Sequence, residues 1–408
     1  MKEIEGGIAA AKGFYAAAHA AGIKYQGRTD MALIYSEAPC VTAGTFTTNV
    51  VKAAPVQWDM RIVHGDGAVR AVVINSGIAN AATGSEGMAI CEKTAEAMSA
   101  CYGGVKDEVL VASTGVIGMQ IDAGRITAGC PVLFEKKDHS AEAATSAAQA
   151  IMTTDTHKKE ISVEVTLGDG STFRIGAMTK GSGMIHPNMC TMLGFVTTDA
   201  AIDKKLLQKA LSAIVEDSFN MISVDGDTST NDTYVVLANG LAGNKLIDSE
   251  NEDYARFCGA LRYVSIYLAK QMAGDGEGAT ALFECRVSGA ESVPEAKKLA
   301  KSVIGSSLCK AAIYGHDSNF GRFLCALGYA GVDFDPEKVD ISYESAAGKI
   351  SIVKNGMGTG YDEEEATKIL SEDAVSVLVD MHRGDAEATA WGCDLSYDYV
   401  KINADYRS

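Results

Sequence analysis

The chain has 408 residues, of which 47% are hydrophobic and 7% aromatic, and 36 Lys and Arg against 53 Asp and Glu give a net charge of −17. This acidity argues against nucleic acid and anionic membranes as partners, because both are bound through clustered basic side chains. The length suits two domains of ordinary size, whose cores need no disulfide bonds.

The first half of the chain alternates strand-like and helix-like segments. Runs of β-branched and apolar residues predict strands, and the Ala-rich stretches between them predict helices. In chain order we expect a strand at 31–35, a strand at 69–74, a helix at 86–100, a strand at 108–112, a helix at 140–152, and strands at 162–167 and 172–178.

The second half mixes the same kinds of segment in an irregular order. We expect a strand at 192–198, a helix at 203–218 with Asp203 in its first turn, a helix at 262–272, a strand at 279–287, a helix at 294–303, and a hairpin of strands 338–344 and 349–353. This order favours an α+β fold over a doubly wound parallel sheet. The loop at 179–189, which contains Gly181, Gly183 and Pro187, is the candidate boundary.

Signals for export, membrane insertion and metal binding are missing from the sequence. No run reaches the roughly 18 apolar residues of a membrane span, and the acidic start of the chain lacks the apolar segment of a secretory signal. The ten cysteines show no Cys-x-x-Cys spacing, and the seven histidines show no metal-ligand spacing. We therefore expect a cytoplasmic protein without a metal site.

Three segments resemble ligand loops but differ from them in detail. The glycine-rich segments 274–278 and 356–360 lie in the wrong context for dinucleotide binding, so we predict turns there. The segment 225–232 is rich in oxygen ligands, like a calcium loop. Its sixth position is Thr230 and its twelfth is Val236, where an EF-hand needs glycine and glutamate.

Hydroxyl side chains near strand and helix ends are the remaining candidates for chemistry. They occur at Ser113-Thr114-Gly115, Thr153-Thr154-Asp155-Thr156, Thr191 and Thr197-Thr198-Asp199. Strand ends, turns and helix caps also favour Ser, Thr and Asp. Residue types alone therefore leave a catalytic and a structural role open at each position.

Sequence blocks along nearly the whole chain resemble one enzyme family. The most specific is Lys180-Gly-Ser-Gly-Met-Ile-His-Pro-Asn-Met-Cys-Thr-Met-Leu193, and the others, in family order, are Lys12-Gly-Phe, 45–49 with 52–56, 75–77 with 79–81, 113–118, 152–156, 224–232, 275–280, 317–322 and 400–406. The first closely resembles the self-cleavage segment of ornithine acetyltransferases, also called glutamate N-acetyltransferases, of arginine biosynthesis. The chain departs from the family pattern at Ile78, Ala82, Cys190 and Phe320, and it lacks the proline expected before Lys12. None of these is a nucleophile or a charged site residue.

The resemblance implies a fold and a maturation step. The family is similar to N-terminal-nucleophile enzymes, so we expect a layered αββα sandwich with an additional smaller α/β domain at about residues 290–390. Self-cleavage between Cys190 and Thr191 would give an alpha chain, 1–190, and a beta chain, 191–408. The family also suggests that the two fragments assemble as an α2β2 heterotetramer.

The resemblance assigns the central chemistry to Thr191. In the family pattern this residue supplies the nucleophile and, through the α-amine freed by cleavage, the base. A free α-amine has a reference pKa of about 7.7–8.0, which suits a base near neutral pH. Acetyl would pass from N-acetylornithine to Thr191 and then to glutamate in a ping-pong reaction, with Thr114 and Gly115 as the oxyanion hole.

The substrate contacts implied by the resemblance lie in both halves of the chain. They are Thr154, Lys180, Thr191, Glu277, Asn403 and Ser408. We expect Lys180 to meet a substrate carboxylate, and Glu277 to meet an ammonium group or help move protons. No cofactor is implied; some family members accept acetyl-CoA as a donor, and no residue here decides that question.

Two other functions stay open at this point. One is an N-terminal-nucleophile aminopeptidase or amidohydrolase of related fold, which would pass the acyl group to water. The other is a non-catalytic binding or assembly protein that keeps the fold, and such a chain would remain uncut at 42.8 kDa.

Overall fold

The computed structural model describes residues 1–186 and 192–404, which form two compact units. The first unit comprises Met1–Gly181, 192–219 and Thr228–Leu268, and the second comprises 182–186, Asn220–Asp227 and 269–404. The chain passes from the first unit to the second between Gly181 and Ser182, inside the loop that the sequence marks as the candidate boundary.

Helices and strands cover most of the described residues. The strands are β1 (Lys2–Glu3), β2 (Phe14–His19), β3 (Met31–Phe46), β4 (Val69–Asn75), β5 (Val109–Ser113), β6 (Lys159–Thr166), β7 (Thr172–Lys180), β8 (Leu193–Thr198), β9 (Ile222–Ser223), β10 (Thr233–Ala238), β11 (Leu282–Ala290), β12 (Asp340–Ser345), β13 (Gly348–Lys354), β14 (Met357–Gly358), β15 (Ala374–Asp380) and β16 (Ala386–Cys393). The α-helices are α1 (Ala54–Val63), α2 (Gly84–Tyr102), α3 (Ala123–Lys136), α4 (Ala141–Ala150), α5 (Lys204–Val215), α6 (Glu252–Gly274), α7 (Val293–Gly305), α8 (Ser307–Tyr314), α9 (Phe320–Gly328), α10 (Glu363–Leu370) and α11 (Tyr397–Ala404).

The first unit is built on a nine-stranded sheet with the order β1-β6-β7-β8-β10-β3-β4-β5, and β2 also pairs with β3. In the middle of this order, β8 and β10 run parallel, with Leu193 opposite Thr233. Every residue of these two strands is buried, as expected for parallel strands covered on both faces. Met192 and Asp232, the residues just before these two strands, are therefore attached to a fully buried part of the sheet.

The second unit is built on a seven-stranded sheet with the order β14-β13-β12-β15-β11-β16-β9. Its core lies between this sheet and the helices that follow β11 in the chain. Ala296, Leu299, Ala300 and Val303 recur at helical spacing on α7 and are all buried, so this helix presents one apolar face to the interior. Among the described residues, no helix is both long enough and apolar enough to span a bilayer.

The α+β class expected from the sequence is confirmed, because each unit combines one sheet with α-helices. The predicted strands and helices are all present with shifted ends, and the predicted hairpin is the antiparallel pair β12 and β13. Asp203, expected in the first turn of a helix, instead precedes α5 as its N-cap, and its carboxylate accepts the N–H groups of Lys205 and Leu206. The glycine-rich segment 274–278 forms a turn after α6, as predicted. The segment 356–360 is a turn only at Gly356, because Met357 and Gly358 form β14.

Several elements differ from the sequence prediction for identifiable reasons. The strand predicted at 31–35 continues to Phe46 through a register shift between Tyr35 and Cys40, which accommodates Pro39. The helix predicted at 262–272 begins earlier, at Glu252. The helix α3 was not predicted; it contains Gly129 and Pro131, residues that normally weaken a helix.

Candidate active site

The ammonium of Lys180 brings together three segments of the first unit. Lys180 is the last residue of β7 and is buried. Its Nζ lies 2.8 Å from the Thr153 hydroxyl, 3.3 Å from the Thr114 hydroxyl and 3.8 Å from the Asp155 carboxylate. Two of the predicted site residues, Thr114 and Lys180, are thus in hydrogen-bond contact, although 66 positions separate them.

A buried carboxylate, Asp155, holds this cluster together. One of its oxygens accepts the Lys159 ammonium at 2.8 Å and the Gly181 N–H at 2.7 Å, and the other accepts the Thr153 N–H at 3.0 Å. Burial raises the pKa of Asp155, but the charges of Lys180 and Lys159 outweigh it and hold that pKa well below its usual range. The carboxylate is therefore ionised, and it holds the backbone at Thr153 and Gly181 beside Lys180.

The predicted oxyanion turn, Thr114-Gly115, follows directly after β5. The Thr114 N–H donates to the Asn75 carbonyl at 3.0 Å, so the hydroxyl is the group that Thr114 can offer to a ligand. Gly115 has a φ of +128°, and a Cβ at this position would lie 2.2 Å from the carbonyl carbon of Gly77. Only glycine fits such a close backbone approach.

The side chain of Asn231 supports this turn from another part of the sequence. Its amide donates to the Ser113 carbonyl at 2.8 Å and to the Ala79 carbonyl at 2.6 Å. Asn231 is buried and stands immediately before Asp232. The turn is thus held by the segment that leads into β10.

Asp232 is the second buried carboxyl of this region, and it lacks the partners of Asp155. It is 1% exposed, and neither of its oxygens has a hydrogen-bond partner among the described residues. Burial raises the pKa of the Asp232 carboxyl well above its usual range, and the hydroxyls of Thr47 and Ser229 and the charge of Lys180 offset this only in part. Burial therefore favours the neutral form of the Asp232 carboxyl, whereas the partners of Asp155 favour its ionised form.

In the second unit, the predicted residues Glu277 and Asn403 are in contact. The Asn403 amide donates to a Glu277 oxygen at 2.7 Å, and the Glu277 N–H donates to the Ser182 carbonyl at 3.0 Å. Glu277 is buried and packs so closely on Gly183 that a Cβ there would lie 2.3 Å from the Glu277 carboxyl carbon. Asn403 is exposed on α11.

The segment 182–186 is tied down by the block around Asp225 in the same unit. The two oxygens of Asp225 accept the N–H groups of Met184 and Ile185 at 2.6 and 2.9 Å. Met184 has a φ of +56°, a strained value for a side chain of this kind. The His186 ring lies 3.0 Å from the Ser223 hydroxyl, and burial, followed by the charge of Lys301, lowers the pKa of His186.

The remaining predicted residues are only partly accounted for. Thr154 is half-buried between Thr153 and Asp155. Cys190, Thr191 and Ser408 lie outside the described residues, so their assignments stay predictions. In the oxygen-rich segment 225–232, the Asp225 carboxylate accepts hydrogen bonds from backbone N–H groups. Residues 1–186 and 192–404 contain no group of three or more His, Cys, Asp or Glu able to hold a metal ion.

The sequence named Thr153 and Asp155 only within a hydroxyl-rich segment of open role, and it named Asn231 and Asp232 only within a family-like block. Asp155 and Lys159 are four positions apart and could have been noticed as a charge pair, but their burial has no signature in the sequence. Asn231 and Asp232 belong to a family-like block that was assigned no role.

Comparison with known proteins identifies the family of the chain. The model of the ArgJ family matches residues 15–408. The arginine biosynthesis bifunctional protein ArgJ 1 of Clostridium acetobutylicum is 51% identical over 97% of this chain and 96% of its own, and the ArgJ protein of Symbiobacterium thermophilum is 49% identical over 100% of both. A solved ArgJ structure from Bacillus halodurans is 51% identical over 52% of this chain and 97% of its own, with a TM-score of 0.49.

The family model and the two curated relatives match nearly the whole chain and agree with the resemblance seen in its sequence blocks. The enzyme class expected from those blocks, an acyltransferase, is confirmed. The chain belongs to the ArgJ family of acyltransferases.

Proposed function

We propose that this enzyme is a glutamate N-acetyltransferase of arginine biosynthesis. It cleaves itself between Cys190 and Thr191, takes acetyl from N2-acetylornithine onto the Thr191 hydroxyl, and passes it to glutamate. The observation that carries the proposal is the buried Lys180 ammonium, placed in hydrogen-bond contact with the Thr114 hydroxyl. The curated relatives named above are arginine biosynthesis proteins, which supports the same pathway.

The position of Lys180 suits recognition of an amino-acid carboxylate. Its ammonium is fixed by two hydroxyls and by Asp155, which stays ionised. Because the ammonium is already held in place, the Lys180 side chain loses little conformational entropy when an anion binds. An ammonium–carboxylate pair is also a strong charge-assisted interaction. N-acetylornithine and glutamate both carry such a carboxylate.

The Thr114-Gly115 turn suits stabilisation of the oxyanion that forms when Thr191 attacks the acetyl carbonyl. The Thr114 hydroxyl accepts a hydrogen bond from Lys180, which leaves its own proton to donate. Losing one donor of this kind typically raises the barrier by about 2.7–4 kcal/mol. The proton of the Thr191 hydroxyl goes to the freed α-amine, which later returns a proton to the departing amine of ornithine.

The other substrate contacts follow from the family pattern. We assign Thr154, Asn403 and Ser408 to substrate binding, and Glu277 to an ammonium group or to proton movement. The Glu277–Asn403 hydrogen bond supports an oriented carboxylate at that position. A cytoplasmic location, an α2β2 assembly of the two fragments, catalysis without a cofactor, and acetyl-CoA as an optional second donor complete the proposal.

Isotope-labelled acetyl distinguishes this function from the alternatives. With labelled N-acetylornithine and glutamate, we expect label on glutamate and a purified protein of two fragments. Label in free acetate would indicate the amidohydrolase, and an uncut protein without turnover would indicate a binding protein. Thr191→Ala should stay uncut and inactive, whereas Thr172→Ala, at an exposed hydroxyl on β7, should behave as wild type. Labelled acetyl-CoA as sole donor tests the second activity.

A further inference from the structure

Arg28 reaches the predicted substrate-binding segment from a distant part of the sequence. One nitrogen of its guanidinium, Nη2, donates to the Met152 carbonyl at 2.6 Å and to the Thr153 carbonyl at 3.3 Å. These two carbonyls directly precede Thr154, to which the proposed function assigns a substrate contact. Neither the family-like sequence blocks nor the proposed transfer reaction gives Arg28 a role.

The loop that carries Arg28 is closed by hydrogen bonds at its base. It connects β2 with β3, and the Asp30 N–H donates to the His19 carbonyl at 3.1 Å. The buried Asp30 carboxylate accepts the N–H groups of Ala21 at 2.8 Å and of Ile23 at 2.5 Å. The guanidinium of Arg28 therefore extends from a loop that is anchored on the main sheet.

A second link joins this loop to the end of α4, just before the segment 151–158. The Ser76 N–H donates to the Asp30 carbonyl at 2.9 Å, and the Ser76 hydroxyl donates to the Ala150 carbonyl at 2.8 Å. The end of α4 is therefore held beside the loop independently of Arg28. Removing the guanidinium is expected to loosen the segment that follows α4 and to leave the helix in place.

Thr153 is held through all three of its polar groups. Its N–H donates to the Asp155 carboxylate at 3.0 Å, its hydroxyl lies 2.8 Å from the Lys180 ammonium, and its carbonyl accepts from Arg28. The first two contacts belong to the cluster around Lys180. The third fixes the peptide group that joins Thr153 to Thr154.

We propose that Arg28 is a positioning residue for substrate binding, an inference that rests on the proposed function. Its guanidinium holds the Thr153–Thr154 peptide group in one orientation, so that Thr154 and the Lys180 ammonium are in place before N-acetylornithine or glutamate binds. A site ordered in advance loses less conformational entropy on binding. Arginine suits this task because the two N–H groups of one nitrogen can serve two neighbouring carbonyls in a fixed geometry.

The test is steady-state acetyl transfer from N-acetylornithine to glutamate by the mature full-length enzyme. Arg28→Ala should raise the KM for both substrates about ten-fold, equivalent to about 1.4 kcal/mol. The kcat should stay close to the wild-type value, because the Thr114-Gly115 turn is supported by Asn231 instead. A variant that is merely less stable would lower the amount of active enzyme and leave KM unchanged.

The matched control is Arg256→Ala. The Arg256 guanidinium also donates to a backbone carbonyl, that of Thr166 at 3.1 Å, but at the opposite end of β6 from the segment 151–158. We expect this variant to keep the wild-type KM for both substrates. If Arg28→Ala is insoluble, Arg28→Met takes its place with the same expected rise in KM, since it keeps the length of the side chain but has no N–H group.

Chemical rescue shows whether the missing group is the guanidinium itself. Millimolar guanidinium chloride should lower the KM of Arg28→Ala toward the wild-type value and leave the KM of Arg256→Ala unaffected. An unchanged KM in the Arg28 variant, an equal rise in Arg256→Ala, or no rescue of soluble Arg28→Ala would overturn the inference. If the wild-type enzyme transfers no acetyl to glutamate, the proposed function fails instead.

Discussion

Asp155 and Asp232 are both buried in the first unit, but their surroundings differ. Asp155 accepts two backbone N–H groups and the Lys159 ammonium, and the Lys180 ammonium lies 3.8 Å away, whereas Asp232 has no hydrogen-bond partner among the described residues. The pKa of Asp155 is lowered and that of Asp232 is raised. Burial neutralises a carboxyl unless cations and N–H groups replace the lost water. Asp155 is therefore held as a fixed negative charge, whereas burial favours the neutral form of Asp232.

The largest effect is expected from removing the charge of Asp155. Asp155→Asn leaves Lys159 and Lys180 buried beside a neutral amide, which should lower the free energy of unfolding by about 3–5 kcal/mol. Denaturant unfolding measures this loss. Asp169→Asn, at an exposed turn, should change the free energy by about 0.5 kcal/mol at most. Equal losses in the two variants would mean that Asp155 is not the structural centre of the cluster.

The next largest effect is expected from a substitution in the Thr114-Gly115 turn. Gly115→Ala places a methyl group against the Gly77 carbonyl and should lower kcat about 10²–10³-fold, because the Thr114 hydroxyl moves away from the oxyanion. Gly118→Ala is the control, since Gly118 also has a positive φ but open space around its Cβ position. Steady-state acetyl transfer compares the two, and similar kcat values would remove the turn from the proposed mechanism.

The two carboxyls should also give opposite pH dependences of stability. The folded pKa of Asp155 lies below its unfolded value of about 3.9, so its contribution is present above that pH and is lost as the pH falls. The folded pKa of Asp232 lies above that value, so its contribution is present below about pH 4 and is lost as the pH rises toward the folded pKa. Each pH unit in these windows is worth about 1.4 kcal/mol.

Unfolding of the wild type, Asp155→Asn and Asp232→Asn across this range checks the two signs. Relative to Asp232→Asn, the wild type should lose stability as the pH rises above about 4. Relative to Asp155→Asn, it should lose stability as the pH falls below that point. Parallel curves for the wild type and Asp232→Asn would show that Asp232 is ionised in the folded protein.

The smallest effect is expected in the second unit, where Glu277 combines burial with one side-chain partner. Asn403→Ala removes that hydrogen bond and should raise the KM for one substrate by about five-fold, equivalent to about 1 kcal/mol. Stability should change by about 0.5 kcal/mol or less, because Asn403 is exposed. Lys401→Ala, on the same helix, should leave KM unchanged. An unaltered KM in Asn403→Ala would argue against a role for this pair in binding.

Local patterns predicted much of the fold but little of its long-range pairing. The apolar runs of β4, β7 and β8 and the helix that starts next to Asp203 are readable in sequence, because strand periodicity and helix-start signals are local properties. The strand β10 was missed because its six residues form a short apolar run after a polar block, without strand alternation. Because proline disfavours the interiors of strands and helices, Pro39 and Pro131 prevented prediction of the full length of β3 and of the helix α3.

The candidate site shows the same contrast between local patterns, which the sequence reveals, and long-range contacts, which it does not. The resemblance pointed to Thr114 and Lys180, but their contact joins residues 66 positions apart, and no sequence spacing encodes it. Asp155 and Asp232 look alike in sequence, since each is an Asp beside Thr or Asn in a polar block. Only the folded surroundings separate a paired carboxylate from a neutral acid.

The most direct test of the central claim is the intact mass of the enzyme after incubation with N-acetylornithine in the absence of glutamate. We expect two fragments, 1–190 and 191–408, with one added acetyl group on the second that maps to Thr191 and disappears when glutamate is supplied. An active enzyme that remains a single chain of 42.8 kDa, or acetyl on any other residue, would contradict the account.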